Sequence, residues 1–240
     1  MAEQIALITG ANKGIGKEIA RQLGKQGMTM LIGARDEGRG QEAADELKQQ
    51  GIRAQAVRLD VTREDSIREA ASTIERDFGR LDVLVNNAGI ASGPVPASST
   101  STDTLRRVYE TNVFGPVAVT NAFLPLLKKS PAGRIVNMSS GLGSLTENSN
   151  PNSQYAGVKP LAYNSSKAAL NMITVIFAAE LKDAGIKVNA ADPGYTATDL
   201  NQHSGPRTVE QGASIAVHLA TLPEDGPTGG YFDDAGTVPW

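Results

Sequence analysis

Two hydrophobic periods take turns along almost the whole chain, and this alternation limits its fold more than any other feature. Short apolar, β-branched or leucine-rich runs recur as IALIT (5–9), MTMLIG (28–33), AQAVRL (54–59), LDVLVN (81–86), RIVNM (134–138) and IKVNAA (186–191), with a weaker GGYF at 229–232. Between them lie helical patterns at 14–26, 38–50, 63–78, 103–128, 163–184 and 207–221. Strands separated by helices pair in parallel through crossovers, and the helices cover both faces of the sheet. The runs are continuously apolar, as strands buried on both sides are. The expected fold is one α/β, doubly wound domain spanning 1–240, with a central parallel sheet of about seven strands.

Composition agrees with a packed core and removes several classes of function. Of 240 residues, 40% are hydrophobic and 20% charged, far from a disordered composition. The net charge is −3 with scattered basic residues, so no footprint for nucleic acid or an anionic membrane is present. Cysteine is absent, which excludes disulfides, thiolate nucleophiles and thiolate metal sites and suits a reducing compartment. The start, MAEQIALITG, carries acidic Glu3 and only a short apolar run, unlike a signal peptide. The apolar segment from Met172 to Ala179 is far shorter than the ~20 residues a membrane span needs. A cytoplasmic protein without membrane, metal or nucleic-acid partners is expected.

Two stretches break the rhythm: IASGPVPASSTST (90–102) and the segment 141–162. Long polar loops in compact domains tend to be functional, and these follow the fourth and fifth strands, at the carboxyl edge where doubly wound sheets bind ligands. Residues 90–99, 141–162 and 195–207 are the expected pocket walls, with Leu142, Tyr155 and Tyr195 as candidate substrate contacts.

Directly after the first run comes TGANKGIG (9–16), opening an amphipathic helix. Glycines there permit a tight turn and close approach of backbone to a pyrophosphate, which the free N–H groups and positive dipole end of the helix favour. Alone, the spacing of Gly10, Gly14 and Gly16 would serve a sharp strand-to-helix turn equally well. Further landmarks follow in order: Asp60 with Val61, NNAG (86–89), Asn112 in ETNVFG, serines 139–140, YNSSK (163–167) and DPG (192–194). This ordered set resembles the short-chain dehydrogenase/reductase family over essentially the whole chain. The segments ARDEGRG and LDVLVNNAGI, and the long insertion before YNSSK, are most similar to its carbonyl reductases.

The resemblance implies a Rossmann-type fold and a carbonyl reductase that transfers hydride from NADPH to an aldehyde or ketone. An oxidative alcohol dehydrogenase and a non-catalytic dinucleotide-binding regulator are the alternatives. It also implies cofactor contacts from Gly10, Asn12, Lys13, Gly14, Ile15 and Gly16, from Asp60 and Val61 beside the adenine, from Asn86, Ala88 and Gly89, and from Pro193, Gly194 and Thr196. Thr196 is the candidate for the nicotinamide carboxamide. Asn112 resembles the family asparagine that distorts its helix and anchors a water for proton relay. By likeness to the carbonyl reductases a monomer is favoured, although family members often pair through the helices at 103–128 and 163–184.

Tyrosine and lysine four residues apart occur twice, as Tyr155 with Lys159 and as Tyr163 with Lys167. Pro160 disfavours helix at Lys159, whereas Tyr163 opens a run of apolar positions at helical spacing that Gly185 stops. Acid–base chemistry needs rigid placement, so Tyr163 and Lys167 are the catalytic candidates. A phenol ordinarily titrates near about 10, and the neighbouring ammonium is expected to lower it toward neutrality. The family pattern gives Lys167 a second task, holding the nicotinamide ribose. The serine that holds the substrate oxygen maps to Ser140, with Ser139 and Ser144 as alternatives.

The nucleotide choice turns on the ribose 2′ position, where an acid suits a hydroxyl and an arginine a phosphate. Arg35 lies nineteen residues after Gly16, and Lys13 adds a second cation, which favours NADP(H). Asp36 would reverse the argument if the strand ended one residue later.

Overall fold

The computed structural model describes residues 4–93 and 95–240, so Glu3 and Pro94 lie outside the described residues. The first half alternates as expected: β1 (Ile5–Thr9), α1 (Gly14–Lys25), β2 (Thr29–Ala34), α2 (Glu37–Gln49), β3 (Ala54–Arg58), α3 (Glu64–Phe78) and β4 (Val83–Asn86). Then follow α4 (Thr102–Tyr109), α5 (Gly115–Leu127), β5 (Arg134–Met138), α6 (Leu145–Ser149), α7 (Leu161–Glu180), β6 (Lys187–Ala191), α8 (Val209–Ala220), β7 (Tyr231–Asp233) and β8 (Gly236–Thr237). The sheet order is β3-β2-β1-β4-β5-β6-β7-β8. The six pairings from β3 to β7 are parallel, so those strands end along one edge, and the order reverses between β1 and β4.

The lack of alternation in β1 has a direct cause. Ala6 and Ile8 enter a core with Ile19 and Leu23 of α1, Leu47 of α2 and Ala216 of α8. Ile5 and Leu7 enter the opposite core with Ile67 and Ile74 of α3 and Phe123 of α5. Each fully buried aliphatic side chain contributes about 1.5–3 kcal/mol, so both faces of the strand must be apolar.

Three features differ from expectation. The sheet has an eighth strand, β8, antiparallel to β7 at the edge. Its polar turn hides it: Asp233 Oδ1 accepts from the N–H groups of Ala235 and Gly236, and Gly236 has a φ of 132°. The single helix expected at 103–128 is broken by a wider π turn at Glu110–Phe114. Pro116 has no N–H to return to the carbonyl four residues back, at Asn112, so the regular ladder fails there. The insertion 141–162 is partly helical, carrying a 3₁₀ turn at Gly141–Gly143 and then α6. Among the described residues no helix is long and apolar enough to cross a membrane.

Candidate active site

The glycine loop and NNAG sit side by side at the point where strand order reverses. Gly10 has φ +65° and a Cβ there would lie 3.0 Å from Ala88 Cα; Gly14 has φ +56°. At Gly16 a Cβ would overlap the Asn87 side chain and come within 2.9 Å of Gly10 O. Asn87, passed over in the sequence, ties this loop: its Nδ2 donates to Thr9 O at 2.8 Å. Thr9 Oγ1 accepts from Ala88 N at 2.9 Å. Asn86 instead points into the sheet, donating to Asn137 Oδ1 at 2.9 Å and to Thr120 Oγ1. Ile15 packs against the core. Asn12 is half-buried in the loop.

The start of α1 suits an anion, because no side chain caps it and its first turn holds no acid. Lys13 pairs with Asp199 of the 195–207 segment at 2.5 Å, both side chains being more than half exposed. β2 ends at Ala34, so Arg35 follows it directly, exposed and without an ion-pair partner among the described residues. Asp36, the complication, caps α2 by accepting from Arg39 N at 3.0 Å. Asp60 is a turn residue whose Oδ1 accepts from Thr62 N and Oγ1. Val61 packs on Gly115 at the start of α5.

Tyr163 and Lys167 lie on the first turns of α7, which begins at Leu161 behind the cap Pro160. Tyr155 and Lys159 lie in the turns before it, so the second pair is the helical one. Lys167 is 5% exposed, its Nζ donates to Met138 O at 2.7 Å, and it lies 5.6 Å from the Tyr163 ring centre. The Ser140 hydroxyl accepts from Leu142 N and lies near enough to the Tyr163 hydroxyl to lower its ionisation. Ser139 points away and donates to Asn171 Oδ1 at 2.5 Å, while Ser144 is buried, capping α6 and donating to Pro239 O.

The expected fall of the phenol toward neutrality is not what this environment produces. Burial pushes the Tyr163 hydroxyl up to about 12, with the Ser140 hydroxyl opposing. Burial lowers the Lys167 ammonium to about 8, with the Asp192 carboxylate opposing. Both groups share one desolvated site, and in each the loss of hydration outweighs the opposing interaction, with Ser140 for the phenol and Asp192 for the ammonium.

Asn112 lies in the π turn and is buried; its amide grips Ile90 in both senses, with N–H to Oδ1 and Nδ2 to O each at 2.9 Å. Nδ2 also donates to Ser166 Oγ. A Cβ at Gly89 would face both Asn112 Oδ1 and Lys167 Nζ, at 3.5 and 3.7 Å. The Thr196 hydroxyl donates inward to Pro193 O at 3.0 Å, and its side chain packs against Gly212. Gly194 has φ +67° and its N–H is held by Asp192. Leu142 is half-buried, and Tyr195 is 54% exposed with its hydroxyl on Ser204. Asp192 stands in the DPG motif, and nothing in its spacing signals a buried carboxylate at this site.

A glycine turn into an uncapped helix at the strand-order reversal, with a buried tyrosine–lysine pair and a serine at the strand ends, defines a doubly wound oxidoreductase. The chain belongs to the short-chain dehydrogenase/reductase family: the family profile described as short chain dehydrogenase matches residues 4–208. It is 36% identical to short-chain dehydrogenase/reductase 1 of Saponaria officinalis, over 96% of this chain and 94% of that one. It is 35% identical to carbonyl reductase [NADPH] 3 of Rattus norvegicus, over 92% of each. The solved structure of NADPH-bound carbonyl reductase from chicken fatty liver superposes with a TM-score of 0.87 at 28% identity, over 100% of both chains. The protein is therefore an oxidoreductase acting on alcohol or carbonyl groups.

Proposed function

We propose that this chain is a carbonyl reductase that uses NADPH to reduce an aldehyde or ketone, with Tyr163 as the general acid. The convergence of Ser140 on the Tyr163 hydroxyl, with Lys167 alongside, is the observation that carries this reading. When bound, the reduced nicotinamide supplies the hydride. Ser140 and Tyr163 hold the carbonyl oxygen between them, and the Tyr163 hydroxyl gives its proton to the oxygen as negative charge develops there. With its ionisation pushed up to about 12, the phenol is a donor across the neutral range, which favours reduction over oxidation. Lys167 titrates near about 8 and so is mostly an ammonium at neutral pH, where its charge stabilises the phenolate left behind. Asn112 holds Ile90, and with it the Gly89 backbone, in place beside Lys167.

The chain's own groups fit the dinucleotide. The first turn of α1 and the glycines would receive the pyrophosphate, and Ala88, Gly89, Pro193 and Gly194 would border the nicotinamide side. Arg35 with Lys13 supports a ribose 2′-phosphate, since Asp36 is engaged on its own helix. The backbone of Asp60 and Val61 would flank the adenine.

Steady-state oxidation of NADPH against NADH with a panel of aldehydes and ketones tests this directly. Tight NADPH binding without turnover on any carbonyl would leave a dinucleotide-binding regulator instead. A monomer of 25.2 kDa is part of this reading. Light scattering tests it, because α7 leaves Met172 and Ile176 exposed at 60% and 57%, a face that a second copy would cover in a dimer.

A further inference from the structure

Asp192 takes no part in the chemistry proposed for Tyr163, Lys167 and Ser140, yet it is buried among them. It follows β6 directly and is 4% exposed. Its Oδ1 accepts from Gly194 N at 2.9 Å, and the Gly141 N–H faces the carboxylate closely enough to lower its ionisation. The Tyr155 phenol rests over Gly141, where a Cβ would overlap both its ring and its hydroxyl. The Asp192 carboxylate lies near enough to this hydroxyl for its charge to act on the phenol. Gly141 directly follows Ser140, so the carboxylate, the phenol and the residue beside the candidate oxygen-holding serine meet at one point.

Among the described residues, the turn that carries Tyr155 is tied to itself, to the neighbouring insertion and to Asn164 of α7. Val158 N donates to Tyr155 O, Lys159 Nζ to Asn148 O, and Asn164 Nδ2 to Val158 O. The turn's contact with the crevice is the Tyr155 phenol lying over Gly141.

Resting on the carbonyl-reductase reading, we infer that Asp192 is a positioning residue: it seats Tyr155 as a wall of the carbonyl pocket beside Ser140, and the pair sets which carbonyls fit. Burial, and then the charge of Asp192, raise the Tyr155 phenol, so it stays protonated. The titratable and charged groups around the carboxylate are Tyr155, Arg207, Asp233, Tyr231, Tyr163 and Lys167.

Asp192→Ala, Asp192→Asn, Tyr155→Phe and the Asp192→Ala/Tyr155→Phe double variant are compared with wild type, using NADPH with a short aliphatic aldehyde and a bulky bicyclic ketone. Tyr155→Phe keeps the ring but loses the hydroxyl. It and Asp192→Ala each raise the bulky-to-short ratio of kcat/KM by about tenfold, through the carbonyl KM rather than the NADPH KM. The double variant goes no further than Asp192→Ala, because both act through one contact, and Asp192→Asn restores part of the selectivity. Amide exchange over 150–158 quickens in both single variants. Asp192→Ala alone also moves the basic limb of the pH profile lower, because its carboxylate faces Lys167 and Tyr163. An unchanged ratio in folded Tyr155→Phe, or additive effects in the double variant, overturns the inference. Wild-type turnover on any carbonyl separately decides the reading beneath it.

Discussion

Lys167 offers a test that needs no substrate. Burial lowers its ammonium from the ordinary 10.5 to about 8. Below about pH 8 the folded and unfolded chains both carry the proton, and the fold bears the full cost of desolvating it; above about pH 10.5 neither carries it and the cost is gone. Between those limits this residue makes stability rise with pH. A gap of about 2.5 units corresponds to about 3 kcal/mol, of which about 2 kcal/mol is relieved between about pH 7 and about pH 9.5. Lys167→Met keeps the chain length and removes the titration, while the lost hydrogen bond to Met138 O costs a similar amount at either pH. The diagnostic quantity is therefore the change in the stability gap between the two proteins. Wild type should gain about 2 kcal/mol on the variant over that interval, or about 4–8 °C in Tm for a chain of this size. Thermal melts of both proteins at the two pH values, without dinucleotide, measure it. A gap that stays constant with pH would mean that Lys167 is not held as a desolvated ammonium, and the electrostatic account of the site would fall with it.

Tyr163→Phe should abolish measurable NADPH oxidation while leaving dinucleotide affinity within about twofold, since only the proton donor is lost; turnover close to wild type would remove Tyr163 from the mechanism. Arg35→Ala should lower kcat/KM for NADPH by roughly 10–100-fold, the loss of a charged hydrogen bond of about 1.5–3 kcal/mol, and leave NADH almost unaffected. Equal losses with both nucleotides would place the 2′ selectivity elsewhere. Gly16→Ala forces a Cβ against Asn87 and Gly10 O. Breaking the Asn87 tie should cost about 1–3 kcal/mol in a urea melt and weaken NADPH binding in a fluorescence titration; an unaltered protein would show that the loop has room to spare.

The sequence by itself determined the alternation of strands and helices, the glycine turn, the placing of Tyr163 rather than Tyr155 on a long helix, and the candidate cations Lys13 and Arg35. These follow from neighbours along the chain: apolar spacing, Pro160 next to Lys159, and glycine where a left-handed φ is needed. Only the tertiary structure decided which serine meets the phenol. Both serines that follow β5 face α7, but Ser139 donates to Asn171, about two turns along the helix from Tyr163, while Ser140 lies on the Tyr163 side. It also turned the Thr196 hydroxyl inward, added β8, buried Asp192 beneath Tyr155, and reversed the direction in which the phenol titrates. Local spacing encodes which way a side chain leaves its own element, but the water it loses and the partner it finds are set by segments far away in sequence, which meet only when the sheet is assembled.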